Sequence, residues 1–119
     1  MPYEVRYEQA GDLVIIRLAG EPGIDEFLQF LQQLGADSVG WTATAALVDL
    51  RGVKSPYSFT EQLRIGEAVG RNLKHLRRVA AVVPPERITR VGEKAARHTG
   101  ATVNVFAVEQ EAVDWLRAG

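Results

Sequence analysis

The stretch Ala43-Thr44-Ala45-Ala46-Leu47-Val48-Asp49-Leu50 is a nearly continuous apolar run, with one carboxylate close to its end. Eight residues fall far short of the ~20 that a membrane helix needs. A run of this length and character is what a strand covered on both faces looks like. It makes residues 43–50 an inner strand of an α/β sheet, and the flanking segments agree with that reading. Residues 51–56 read as a loop. Ser58 is a good N-cap, and Glu61 three residues later completes a capping box. Phe59, Leu63, Gly66, Val69, Gly70 and Leu73 then mark a helix. Residues 77–83 form another buried strand, closed by Pro84-Pro85. Ile88, Val91 and Ala95 mark a third helix ending near Gly100. Residues 102–107 are a fifth strand, and Glu109–Ala118 is a closing helix with Ala112, Trp115 and Leu116 inward.

Toward the N-terminus, Tyr3-Glu4-Val5-Arg6-Tyr7-Glu8 alternates apolar with charged residues, the pattern of a half-buried strand. A turn at residues 10–12 joins it to the more apolar strand at 13–18, so the two form an antiparallel hairpin. This first strand is an antiparallel edge that is free to pair with a second copy, although its charges oppose that. Gly20-Glu21-Pro22-Gly23 ends the hairpin. Ile24, Phe27, Leu28, Leu31 and Leu34 follow helical spacing, with Asp25 and Glu26 at the positive end of the helix and Gly35 as its stop. The order is ββαβαβαβα. Three successive strand–helix–strand units imply right-handed crossovers and a mixed, mostly parallel five-stranded sheet covered by helices. Residues 1–119 read as one domain without repeats or linkers.

At 119 residues, with 46% hydrophobic and 24% charged residues, the chain buries a core without needing a disulfide or a structural metal. It has no cysteine, which excludes disulfides, iron–sulfur clusters and thiol catalysis, and which favours the cytoplasm. The N-terminal Met1-Pro2-Tyr3-Glu4-Val5 is not a signal peptide, so the expectation is a soluble, cytoplasmic protein. The net charge of −1 hides a split. Residues 71–98 carry eight basic residues and two acidic ones, whereas the rest carries six basic and thirteen acidic.

Ligands of open α/β sheets bind beyond the carboxyl ends of the strands. That rim collects Asp49, Arg51, Lys54, Ser55, Ser58, Arg87 and the residues after Ala107. Asp49 there either serves a ligand or pairs with Arg51. Arg87, Arg90, Lys94 and Arg97 fall at offsets 0, 3, 7 and 10 and form one stripe if they lie on a helix, which is either an anion- or protein-binding surface or a solvated face. The pair Gly66 and Gly70 permits close packing on the sheet. His75 and His98 have no metal-ligand spacing, Gly20–Gly23 lacks a phosphate-binding pattern, and no cofactor is expected. The basic stripe has few aromatic companions, which speaks against nucleic acid. An enzyme using Asp49 with Ser55 or Ser58 would lack an identifiable general base.

Leu47-Val48-Asp49-Leu50-Arg51-Gly52 is similar to the strand-end segment of STAS-type domains, and the chain more closely resembles the SpoIIAA-like group, often placed with CRAL-TRIO lipid-transfer modules. Glu111-Ala112-Val113-Asp114-Trp115-Leu116 is similar to that group's closing helix. The resemblance spans nearly the whole chain. It implies a non-enzymatic protein-interaction module of bacterial regulation, or alternatively a carrier or sensor of a lipid-like or anionic ligand. In the second case Phe27, Phe30, Phe59 and Leu63 would line an apolar pocket, with Lys54, Arg87 or Arg90 near the head group. The sporulation antagonists carry a phosphorylated serine in an Asp-Ser-Ser-Gly-like sequence. Ser58, in Lys54-Ser55-Pro56-Tyr57-Ser58-Phe59-Thr60, lies close to that position but lacks the preceding Asp and following Gly.

Overall fold

The computed structural model describes residues 2–118. Its elements are β1 (Tyr3–Ala10), β2 (Leu13–Gly20), α1 (Ile24–Ser38), β3 (Ala45–Val53), α2 (Phe59–Leu73), β4 (Arg78–Val82), α3 (Val91–His98), β5 (Val103–Phe106) and α4 (Glu109–Ala118). The sheet order is β1-β2-β3-β4-β5, with β1 antiparallel to β2 and all other pairs parallel. The element order and the mixed sheet are those expected from the patterning.

The strand order dictates the layering. Three crossovers that all step the same way across the sheet, and are all right-handed, must all lie on one face. That face carries α1, α2 and α3 over a core of Ile16, Leu31, Leu34, Ala46 and Leu73, each no more than 1% exposed. The opposite face would be bare without α4, which seals Leu13, Leu47, Ala80 and Val82 beneath Ala112 and Leu116. Arg77 and Arg78 donate to the carbonyls of Leu116 and Trp115 at the end of α4, and the Arg78 guanidinium stacks 4.7 Å over the Trp115 ring. Both cations suit the negative end of the helix. Two members of the basic segment are thereby used to dock a helix.

Three local expectations change. First, α1 runs through Gly35 to Ser38 instead of stopping there. A Cβ on Gly35 would come within 2.8 Å of Asn72 Cβ and O, so this glycine serves helix packing and not termination. Second, Gly66 and Gly70 do not face the sheet. They face α3, where added methyl groups would run into Gly92 and Thr99. Third, β3 continues to Val53, so Arg51 lies on a strand. A register shift against β2, where Arg17 faces Asp49 but Ala19 faces Gly52, marks a bulge near that end. Among the described residues, no helix is long and apolar enough to cross a membrane.

Candidate functional site

Strand alternation sends the rim residues to opposite sides of the sheet. Ala45, Leu47 and Asp49 face α4, whereas Ala46 and Val48 face α1–α3. Asp49 is 8% exposed and accepts from Arg51 Nε at 2.9 Å, from Arg51 N at 3.1 Å and from Arg17 at 2.8 Å. Arg17 also donates to Glu109 at 2.8 Å and to Glu8 at 2.9 Å, and Arg51 reaches Glu109 at 2.7 Å. Burial pushes the Asp49 carboxyl up, but the hydrogen bonds from Arg51 and Arg17 outweigh it and hold the pKa below its ordinary value. The bond from Arg17 likewise lowers Glu109. A carboxylate saturated with guanidinium donors is a poor proton acceptor. This cluster ties β1, β2, β3 and the start of α4 together. The Asp49–Arg51 pair was one of the two sequence readings of Asp49. Glu109 is among the residues after Ala107 expected at this rim, whereas Arg17 escapes the sequence reading although it is the lone charge inside the apolar run of β2.

The other face holds a cavity of about 410 Å³ between the sheet, α2 and α3. The cause is the brevity of α3. The β4–β5 crossover has eight helical residues, preceded by a 3₁₀ turn at Pro85–Arg87 and an irregular segment. Eight residues extend roughly 12 Å, too little to cover the carboxyl ends of the strands. Leu50, Ala81, Val83 and Val105 there are only half-buried and form the floor. Ile65 and Val69 of α2 and Ala96 of α3 form the walls. At the mouth, the end of β3 with the loop 54–58 meets residues 84–87 directly. Arg87 donates to the carbonyls of Val53 at 2.6 Å and Lys54 at 3.3 Å. Ser55 Oγ and Tyr57 Oη both donate to Pro22 O, at 2.8 and 2.7 Å, which brings in the loop before α1. Among the described residues, the exposed Arg87 makes no ion pair within 4 Å, and Glu86 and Glu93 also line the cavity. Of the four apolar residues expected to line a pocket, Phe27 does so. Phe30 lies in the core, and Phe59, 65% exposed, lines with Leu63 and Lys94 a separate groove of about 590 Å³ on the outer side of α2 and α3.

The expected basic stripe does not form, because α3 starts at Val91. Arg87 sits on the 3₁₀ turn, and Arg90 is the residue before the helix, with φ 62°. Arg90 bonds Glu93 at 3.0 Å, and Arg97 donates to Val103 O at 2.9 Å while lying 3.9 Å from Glu93. Glu93, 5% exposed, also accepts Val105 N at 2.7 Å. Lys94 alone of the four points into the outer groove. Among the described residues, no three His, Asp or Glu side chains converge in a way that would hold a metal.

The model of the SpoIIAA-like family matches residues 13–117. The chain belongs to the SpoIIAA-like family. Its fold resembles an anti-sigma factor antagonist from Mycobacterium paratuberculosis, with a TM-score of 0.67 at 16% identity over 98% of this chain and 95% of that one. It also resembles the anti-sigma factor antagonist SpoIIAA in its unphosphorylated form (TM-score 0.63, 18% identity, 98% of each chain). A third similar structure is an uncharacterised protein with a SpoIIAA-like fold from Shewanella loihica PV-4 (TM-score 0.60, 20% identity, 96% of this chain and 93% of that one). No curated protein matches the chain in sequence.

In this SpoIIAA-like domain, Ser58 is an exposed N-cap. Its Oγ accepts Glu61 N at 3.2 Å, and the Glu61 carboxylate accepts Ser58 N at 2.9 Å. Ser58→Ala removes one half of that box and should cost about 1 kcal/mol of stability in urea denaturation. A loss much smaller than this would mean that α2 is held by packing alone.

Proposed function

We propose that this domain is a non-enzymatic regulatory module that takes a small amphipathic ligand into the α2–α3 cavity and presents the surrounding rim to a protein partner. The observation that carries the reading is the cavity, a largely apolar interior of about 410 Å³ with the exposed Arg87 at its mouth. That volume is within the roughly 300–1,000 Å³ of small-molecule sites, which are typically apolar with a few placed polar groups. An aliphatic chain suits the floor of Leu50, Ala81, Val83 and Val105, and a carboxylate or phosphate head suits Arg87 and the exposed Lys54 beside it. The likeness in fold to two anti-sigma factor antagonists supports a regulatory role exercised through protein contact.

Laurate serves as a probe. It should raise the thermal midpoint of the wild-type chain, and Ala81→Phe, whose ring would fill the cavity, should abolish the shift. Dodecanol should bind several-fold more weakly than laurate, and Arg87→Gln should erase that preference. Absence of any laurate effect, together with a ligand-free mass for protein isolated from its own host, would end the ligand reading.

A second reading is contact with a partner without any ligand, through the start of α2. It is favoured by Phe59, an aromatic ring 65% exposed that directly follows the exposed Ser58 in the chain. Phe59→Ala should then abolish capture of the native partner and leave laurate binding intact.

A further inference from the structure

The two edges of the sheet are treated differently. On β5, Val79 N bonds Thr102 O and Val83 N bonds Phe106 O, so the even-numbered residues face β4 and the backbone groups of Val103 and Val105 face outward. Two of these groups are occupied by α3: Arg97 Nε donates to Val103 O at 2.9 Å, and Val105 N donates to Glu93 at 2.7 Å. Side chains thus block this edge against another strand.

Among the described residues, no side chain covers the β1 edge in this way. Pro2 O accepts from Glu21 N, and the register continues with Tyr3 opposite Gly20 down to Ala10 opposite Leu13 at the Gly11-Asp12 turn. In an antiparallel ladder the residues alternate in facing the partner strand. The even-numbered residues of β1 therefore face β2, and the N–H and C=O groups of Tyr3, Val5, Tyr7 and Gln9 face away from the molecule. The charges on this edge alternate in sign: Glu4, Arg6, Glu8. Glu8 is held by Arg17 at 2.9 Å, whereas Glu4 and Arg6 are exposed and, among the described residues, form no ion pair.

We propose that β1 is a homodimerisation edge, and that two copies pair antiparallel about a two-fold axis at Val5. Symmetry and hydrogen-bond parity leave a few registers. Centring on Arg6 sets Arg6 against Arg6 and Glu4 against Glu8, so like charges meet directly. Centring on Tyr7 needs Glu8 for Arg6, but Arg17 already holds Glu8. Centring on Val5 sets Glu4 of each copy against Arg6 of the other, twice, and sets Tyr3 against Tyr7, an aromatic pair on the α1 face. Like-signed residues would guard an edge against self-pairing, whereas alternating signs select one register of it. The contact is isologous, closes after two copies, and joins two five-stranded sheets into one.

Sedimentation velocity over a concentration series tests this. The wild-type chain should move from monomer to dimer with rising concentration. Val5→Pro removes an outward N–H that β2 does not use and should give a folded monomer, as read by circular dichroism. Arg6→Glu and Glu4→Arg should each be monomeric alone, and an equimolar mixture of the two should form a heterodimer. A wild-type chain that stays monomeric throughout overturns the proposal. So does a dimer that survives both Val5→Pro and Arg6→Glu, or a mixture that does not associate.

Discussion

Gly66→Ala should lower the stability of the domain by about 3 kcal/mol, a fall in melting temperature of roughly 10 °C. Helix propensity by itself argues the other way, because alanine in a helix interior is favoured over glycine by about 1 kcal/mol. Packing reverses the sign. A methyl group at position 66 would overlap Gly92 O and lie 2.8 Å from Ala95 Cβ, and a backbone carbonyl has no rotamer by which to withdraw. The strain is relieved by moving α3 away from α2, which weakens the wall of the cavity. The variant should therefore also lose affinity for laurate. Urea denaturation of the two proteins decides the matter, and a stabilised Gly66→Ala would show that α2 and α3 are not in backbone contact.

Arg17→Met should cost about 2 kcal/mol at neutral pH. Breaking a fully buried ion pair costs about 3–5 kcal/mol. Asp49 retains Arg51, and Glu8 and Glu109 lie nearer solvent, so the loss here is smaller. The effect depends on pH. Asp49 and Glu109 both have pKa values held below the ordinary carboxylate range near 4. Groups of this kind contribute stability that is present in full above the unfolded-state pKa and is lost as pH falls through the lower folded-state pKa. The difference between wild type and Arg17→Met should thus be constant from about pH 6 to 8 and shrink as pH drops below about 4. Denaturation midpoints measured across that range test it. A gap that persists unchanged at pH 3 would mean that Arg17 acts through its aliphatic packing and not through its charge.

The parts of the fold legible in the sequence are those written in near neighbours. Period two in β1, continuous apolarity in β3, helical spacing in α1 and α4, and the Ser58–Glu61 box are relations between residues a few positions apart. Misreadings arose where a local feature has two structural uses. Gly35 has the form of a helix stop, but it makes room for Asn72. Arg87, Arg90, Lys94 and Arg97 have helical spacing, but the helix starts at Val91, and Arg87 bonds Val53 O, Arg90 bonds Glu93 and Arg97 bonds Val103 O. The electrostatic excess of residues 71–98 is likewise spent largely on backbone carbonyls and on Glu93.

By itself, the sequence determined the order of elements, the right-handed sense of the crossovers, and the gathering of the β3–α2 and β4–α3 loops along one rim. Each of these follows from apolar periodicity and chain chirality, which act locally. The tertiary structure decided which side of the sheet each rim residue serves, the convergence of Arg17, Asp49 and Glu109, and the space left by a short α3. Those depend on register between strands far apart in the chain and on where a helix ends relative to the sheet beneath it, and no short window of sequence contains either.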